Sequence, residues 1–229
     1  MSNVTYTISS ILEIVSDLRG ESTTNTDASR VRAVSRAERD FARRMFFRVH
    51  LKRLVTGGTG DGSTQDFEIG STTYPMRPKG LTEVFVGGTT EDKRYQVIDY
   101  HRYINEYNKN NSERIAYEWF DVTSDKWKVH INPAPASGDI VYYSHFFEPA
   151  AKISDSDSVY CSNPMILAKL ALVDIYYAED EDDKAEATAN EAEQLISEVM
   201  GIENSPAINQ TYSVGSIENS IRPHGIGSY

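Results

Sequence analysis

Apolar residues recur every three or four positions at the two ends of the chain and every second position between them. The first spacing is typical of an amphipathic helix, and the second of a strand with one buried face. A first helix is predicted over about residues 7–19, ending at Gly20, and a second over about 27–48. Ser10 and Glu13 have the spacing of a capping box for the first helix.

From Leu51 to about Glu148 the hydrophobic period is two. Short apolar runs separated by Gly, Asn, Asp and Pro predict strands over 64–69, 81–86, 94–98, 115–120, 126–132 and 140–146. The glycines of 56–63 predict a hairpin turn, and residues 133–138 a hairpin or a sharp corner. Short strands at this spacing predict a small sandwich or barrel.

Helical spacing returns at Asn163 and Pro164, where Asn can cap a helix and Pro suits its first position. The helix that follows is apolar on nearly all sides, which predicts that it lies at the centre of a bundle. The acidic run 179–183 predicts a bend, after which a helical stripe continues to Gly201. Residues beyond it have no helical period and predict an extended tail.

Helices at both ends and strands between them predict an α+β fold. A helical bundle is built from the N- and C-terminal helices, and an antiparallel β-sandwich or barrel-like domain is inserted between the second and third helices. The predicted boundaries are 1–50 and 149–201 for the two parts of the bundle, 51–148 for the β domain and 202–229 for the tail. The tail carries spaced apolar side chains that could fill pockets on a partner: Ile208, Tyr212, Val214, Ile217, Ile221 and Tyr229.

The net charge of −11 argues against a protein that coats nucleic acid, because clustered Lys and Arg carry phosphate binding. The charge is unevenly distributed, since residues 30–53 hold nine basic and two acidic side chains and residues 164–203 hold eleven acidic and two basic ones. These runs are either solvated or mutually neutralised within the monomer, or they are complementary surfaces between identical subunits. The candidates for subunit or DNA contact are Arg32, Arg36, Arg39, Arg43, Arg44 and Arg48.

The catalytic and cofactor motifs of the sequence are incomplete. The glycines of 56–63 lack the Lys-Ser/Thr of a phosphate loop, and Asp155 and Asp157 lack the Gly and distal Glu of a calcium loop. The single cysteine, Cys161, excludes an internal disulfide and is expected to be a small buried residue before a helix. The sequence predicts no enzyme, no cofactor and no metal. It also predicts no membrane span and no secretory leader, so a protein kept in the cytosol is expected.

Aromatic side chains are concentrated in the β region. Core packing accounts for most of them, and the remainder could serve a subunit interface or stack on sugars, with Trp119 and Trp127 as the platform. A third alternative is a hydrolase that uses carboxylates of the same sheet, the candidates being Glu118, Asp121, Asp125 and Asp139. No spacing selects two of these four.

The order of segments in the second half of the chain carries a family resemblance. Residues 126–135, Lys-Trp-Lys-Val-His-Ile-Asn-Pro-Ala-Pro, precede Gly-Asp-Ile-Val-Tyr-Tyr-Ser at 138–144. An Asp-rich linker over 149–160, the capped helix from Asn163 and a helix over 183–200 follow. Together with the N-terminal helix pair and the β insertion, residues 5–203 resemble the head-to-tail adaptor (connector) proteins of tailed bacteriophages. The basic second helix and the long tail depart from the family pattern.

The resemblance implies a virion structural protein without catalysis. Copies would form a ring beneath the portal, twelvefold in the family, that extends the DNA channel, touches the passing genome and binds the next neck or tail protein. The ring would lie in the neck of the virion after assembly in the host cytoplasm, and terminal segments would dock on the portal. A carbohydrate-binding or other interaction module of a tail assembly is the alternative.

Overall fold

A computed structural model describes residues 5–44, 46–71, 74–104 and 113–203. The chain forms two compact units. The helical unit contains the described parts of 1–51, 71–77 and 146–204, and the β unit contains the described parts of 52–70 and 78–145. In chain order the elements are β1 (Thr5–Thr7), α1 (Ile8–Arg19), α2 (Ala28–Arg44), β2 (Leu51–Thr59), β3 (Asp66–Glu68), β4 (Met76–Val86), β5 (Arg94–Val97), α3 (Tyr100–Arg102), β6 (Ile115–Asp121), β7 (Lys126–Asn132), β8 (Ile140–Phe147), β9 (Ser158–Tyr160), α4 (Pro164–Ala178) and α5 (Asp182–Glu203), with 3-10 turns at Arg48–His50 and Glu91–Lys93.

Helix α1 confirms the first predicted helix and its stop. Gly20 ends the helix in the left-handed conformation at φ 70°, which glycine adopts without steric cost. The predicted capping box at Ser10 and Glu13 is wrong. The cap is Thr7, whose extended backbone lets its side-chain oxygen accept a hydrogen bond from the N–H of Ser10 at 3.2 Å, so Ser10 already lies inside the helix.

Helix α4 begins as predicted, with Asn163 Oδ1 accepting from the N–H of Met165 at 3.0 Å and Pro164 in the first turn. It packs against α1, α2 and α5, and it buries Ile166 and Leu167 completely. The bend between α4 and α5 lies within the predicted acidic run, whereas α2 ends at Arg44, before the predicted boundary. Within the described ranges, no helix has the length and apolar character that a membrane crossing requires.

The core of the helical unit joins both ends of the chain. Buried residues of α1 and α2 meet those of α4 and α5, and Phe41 stacks on Phe47 with ring centroids 4.0 Å apart. The strands β1 and β9 form an antiparallel pair in which Thr5 lies opposite Tyr160. The sequence pattern did not predict these two strands, because three residues are too few to show a period.

Seven strands form one sheet in the order β2-β8-β4-β5-β6-β7-β3. The sheet is mixed, since β5 and β6 run parallel while β3–β7, β4–β5 and β6–β7 are antiparallel. Its edge strands approach each other, because a Cβ atom added at Gly58 on β2 would lie 3.1 Å from the ring of Phe67 on β3. The predicted α+β class with a barrel-like β region is confirmed, with mixed rather than wholly antiparallel pairing.

The predicted hairpin turn at 56–63 is wrong, whereas the structure selects the corner from the two alternatives predicted for 133–138. Gly57 and Gly58 lie within β2 rather than in a hairpin turn, and a Cβ at Gly57 would lie 2.9 Å from the ring of Tyr143. Close packing against an aromatic ring therefore explains the glycine there. Residues 133–138 form a corner, because they connect β7 to β8, which are not neighbours in the sheet.

Candidate interaction surfaces

Several arginines of α2 pair with carboxylates inside the helical unit. Arg36 Nε donates to Asp174 Oδ2 on α4 at 2.7 Å, and Arg44 pairs with Glu193 on α5. Arg43 pairs with Glu148. Asp174 and Glu193 belong to the acidic run of the sequence, so at these positions the two charge runs meet within one subunit.

The remaining candidate arginines differ in exposure. Arg32 is exposed and forms no ion pair with another residue that the structure describes. Arg39 is half-buried, and its Nε has no hydrogen-bond partner among the described residues. Arg48 lies beyond α2, in a 3-10 turn. Arg32, Arg36, Arg39 and Arg43 follow helical spacing, which places them along one stripe of α2.

A charge network that the sequence reasoning missed joins α1, α2 and α4. The carboxylate of Glu21 accepts two hydrogen bonds from Arg30, at 2.6 and 2.7 Å, and one from Arg19 Nε at 2.7 Å. The bonds from Arg30 are the main reason that the pKa of Glu21 falls to about 2. Arg19 also donates to Glu179 at the end of α4 at 2.8 Å. The sequence holds a signal for this network, because the acid Glu21 lies between Arg19 at the end of α1 and Arg30 near the start of α2.

The titratable side chains of Glu38 and His50 lie in the core of the helical unit. Glu38 is fully buried, with Oε1 accepting from the N–H of Tyr160 at 2.8 Å and Oε2 without a partner among the described residues. Burial raises the pKa of Glu38 to about 7. His50 lies between the rings of Phe41 and Phe147, with centroids 5.9 and 5.5 Å away. Burial, together with the charge of Arg77, lowers the pKa of His50 to about 4.

No motif of the sequence marks Glu38, which is one of two acids among the nine basic residues of 30–53. Glu38 nevertheless lies on the apolar stripe, four residues after Val34 and three before Phe41. Helical spacing alone therefore marks it as inward-facing.

The β unit carries an aromatic and polar face on β6 and β7. Tyr117 stacks on His130 at 4.9 Å between centroids, and Trp119 Nε1 donates to Asp66 Oδ1 at 3.0 Å. The register pairs Trp119 with Lys128, and Phe120 with Trp127. Since neighbouring residues of a strand face opposite sides, Trp119 and Trp127 lie on opposite faces. The two-tryptophan platform for sugar stacking is therefore wrong.

Two of the four candidate carboxylates, Glu118 and Asp121, bind groups of the β unit itself. Glu118 accepts hydrogen bonds from the backbone N–H groups of Lys79 and Leu81, and burial raises its pKa to about 7. Asp121 lies three residues further along β6, on the other face, and Lys128 holds its pKa low through a 2.6 Å ion pair. These two carboxylates do not converge. Asp125 lies in the β6–β7 turn with φ 55°, and Asp139 in the corner before β8.

Cys161 is a buried free thiol, as expected from its position before α4. Its Sγ donates to the carbonyl of Asn163 at 2.9 Å, and burial raises the pKa of the thiol to about 12. Over the part of the chain that the structure describes, no three His, Cys, Asp or Glu side chains form a group that could hold a metal ion. The tail candidates Ile208, Tyr212, Val214, Ile217, Ile221 and Tyr229 lie outside the described residues.

A search among curated proteins finds no match. The family model of the SU10 adaptor protein matches residues 6–214, a range that includes every helix and all but the first residue of the strands described above. The chain belongs to the SU10 adaptor protein family.

Proposed function

We propose that the protein is a head-to-tail adaptor of a tailed bacteriophage, a structural component of the virion that joins the portal to the next neck or tail protein. Family membership over residues 6–214 is the observation that carries this proposal. In the proposed assembly, copies form a ring beneath the portal, twelvefold by family resemblance, and extend the DNA channel. The ring assembles in the host cytoplasm and lies in the neck of the virion. This role requires no catalysis.

Subunit contacts in such a ring require two different complementary patches on one chain. The arginine stripe of α2 is one candidate, because Arg32 is exposed without an ion pair to a described residue and the pairs of Arg36 and Arg43 are partly solvated. Exposed acids of α5 are candidates for the other patch: Asp182, Asp183, Glu186 and Glu198. Arginines of this stripe that face the ring lumen would instead contact the passing DNA.

Ring formation, alone or on the portal, should weaken as salt is added, since exposed charges are screened beyond about 8 Å at physiological ionic strength. Mass photometry at low and high salt measures it directly. Arg32→Glu should reduce assembly while leaving the melting temperature unchanged, because Arg32 has no ion pair to lose among the described residues. Arg32→Lys, which keeps the charge, is the matched control. A monomer that never joins the portal at any salt concentration contradicts the proposed function.

The tail from residue 204 is proposed as the portal-docking arm. Among the described residues Ile196 is the last fully buried one, and Val199 and Met200 still pack against the core. Truncation after Glu203 keeps all of them and should leave the melting temperature nearly unchanged. Co-sedimentation with the portal should fall strongly. Full co-sedimentation of the truncated protein would show that the arm is elsewhere, and a large loss of melting temperature would place the tail within the fold.

A further inference from the structure

Strand β9 covers the buried carboxyl of Glu38 on α2. The backbone N–H of Tyr160, the last residue of β9, donates to Glu38 Oε1 at 2.8 Å, whereas Oε2 is buried without a partner among the described residues. A neutral carboxyl tolerates this site, but an ionised carboxylate in an apolar core needs hydrogen-bond donors at both oxygens. Ionisation of Glu38 therefore requires part of its cover to move, so that Oε2 reaches water.

The element around Glu38 that moves most easily is β9. It has three residues, and in the part of the chain that the structure describes its sheet has one other strand, the three-residue β1. Helix α2 packs much more extensively on α4 and α1 than on β9. Local opening begins in the elements with the fewest buried contacts. Displacement of β9 is therefore the opening that hydrates Glu38 with the smallest loss of packing.

The chain is held on both sides of β9. The carbonyl of Asp157 accepts from the N–H of Ile8 at the start of α1, at 3.0 Å, and Asn163 caps α4. These contacts confine the opening to the few residues between Asp157 and Asn163. Cys161 is one of them, and its side chain is completely buried while β9 is in place.

Two cations face Glu38, Arg39 on α2 and Lys152 on the linker before β9. Both favour the ionised form, but burial outweighs them and raises the pKa of Glu38 to about 7. The charge of this carboxyl therefore changes near neutral pH, where it would be constant for an exposed glutamate.

Other titratable groups lie around β9. Burial raises the pKa of Tyr160 and of Cys161 to about 12 and lowers that of His50 to about 4. The hydroxyl of Tyr74 lies 3.1 Å from that of Tyr160, and Arg77 acts on His50 as a fixed cation. Since tyrosine ordinarily titrates near pH 10, none of these groups competes with Glu38 near neutral pH.

We propose that ionisation of Glu38 opens strand β9, so that the helical unit is closed in mildly acidic solution and populates an open form as the pH rises. In the open form Oε2 of Glu38 is hydrated, the N–H of Tyr160 is released to water, and the thiol of Cys161 is accessible. The pairing of β9 with β1 is lost in the same step. This conformational switch does not depend on the proposed function, because it needs neither a second copy nor a portal.

The only cysteine of the chain reports the opening without a label. The rate at which dithiodipyridine modifies Cys161 in the folded full-length protein, divided by the rate in urea-unfolded protein at the same pH, gives the open fraction. With a pKa of about 7 in the closed form and 4.5 in the open form, we expect this fraction to rise on the order of 50- to 100-fold between about pH 5 and about pH 8.

Glu38→Gln is the matched control, because it keeps the acceptor for the N–H of Tyr160 and cannot ionise. Its open fraction should not change with pH. A wild-type open fraction that stays constant, or one that rises equally in both proteins, would overturn the switch.

Two further measurements on the wild type separate local opening from global unfolding. The open fraction should be nearly independent of urea at low concentration, since opening β9 exposes little surface. Amide hydrogen exchange, corrected for its intrinsic dependence on pH, should accelerate more in peptides of 5–7 and 158–162 than in peptides of α4. If the urea dependence equals that of global unfolding, or if α4 accelerates equally, Glu38 acts on the whole helical unit and the switch at β9 is wrong.

Discussion

Replacing Leu167 with alanine should lower the free energy of unfolding by about 2–5 kcal/mol. Leu167 is completely buried on α4, in the core that this helix forms with α1, α2 and α5. Truncation removes apolar contacts and leaves a cavity that the surrounding helices fill only in part. Urea denaturation followed by far-ultraviolet circular dichroism measures the loss. Tryptophan fluorescence would report the other unit, because Trp119 and Trp127 both lie on its strands.

Leu170→Ala is the matched control on the same helix. Leu170 is only half-buried, so the same substitution removes fewer contacts and should cost clearly less. Equal losses for the two variants would contradict the assignment of the buried side of α4. The pair also separates the effect of burial from that of helix propensity, since both substitutions replace leucine with alanine inside one helix.

Replacing Glu38 with glutamine should change how stability depends on pH. The pKa of Glu38 is about 7 in the folded protein, against 4.5 for an unperturbed glutamate such as that of the unfolded chain. The folded protein therefore holds this proton more tightly, and the contribution of Glu38 to stability is full below about pH 4.5 and is lost as the pH rises to about 7. Over that window the wild type should lose about 3 kcal/mol relative to Glu38→Gln.

His50 acts in the opposite direction. Its pKa is about 4 in the folded protein, against 6.5 for an unperturbed histidine, so its contribution to stability is full above about pH 6.5 and is lost as the pH falls to about 4. The pH ranges over which Glu38 and His50 lose their contributions overlap. Within the overlap the two changes have opposite signs, so the free energy of unfolding of the wild type varies less with pH. The readout is therefore the difference in unfolding free energy between wild type and variant, which cancels His50 and the nearby charges of Arg39, Lys152 and Arg77.

Chemical denaturation at about pH 5 and about pH 8 provides this difference. The glutamine amide that replaces Oε2 changes the free energy of unfolding by an amount that does not depend on pH. The test is therefore the change, between the two pH values, in the difference between wild type and variant. Glu118→Gln is the control in the β unit, where a second carboxyl has a pKa of about 7. Glu118→Gln should leave the free energy of unfolding of the helices unchanged. Parallel profiles for wild type and Glu38→Gln would contradict the burial of an ionisable Glu38.

The helices and most strands could be predicted from the sequence, because local signals specify them. The Asn163–Pro164 start of α4 and the Gly20 stop of α1 are cap chemistry that acts within one turn. The alternation in Tyr117–Trp119 and Val129–Ile131 similarly marks β6 and β7. Strand neighbours and register could not be predicted, since β7 and β8 are consecutive but not adjacent in the sheet.

The candidate interaction surfaces could likewise be predicted from the sequence only in part. The sequence by itself determined that two opposite charge runs exist, that the chain has one cysteine and that α2 is amphipathic, because composition and helical spacing are properties of the chain alone. Only the tertiary structure decided which charges meet, as between Arg36 and Asp174, and that Trp119 and Trp127 face apart. Such contacts join residues that are far apart in sequence, and no local period records which of them will be neighbours in space.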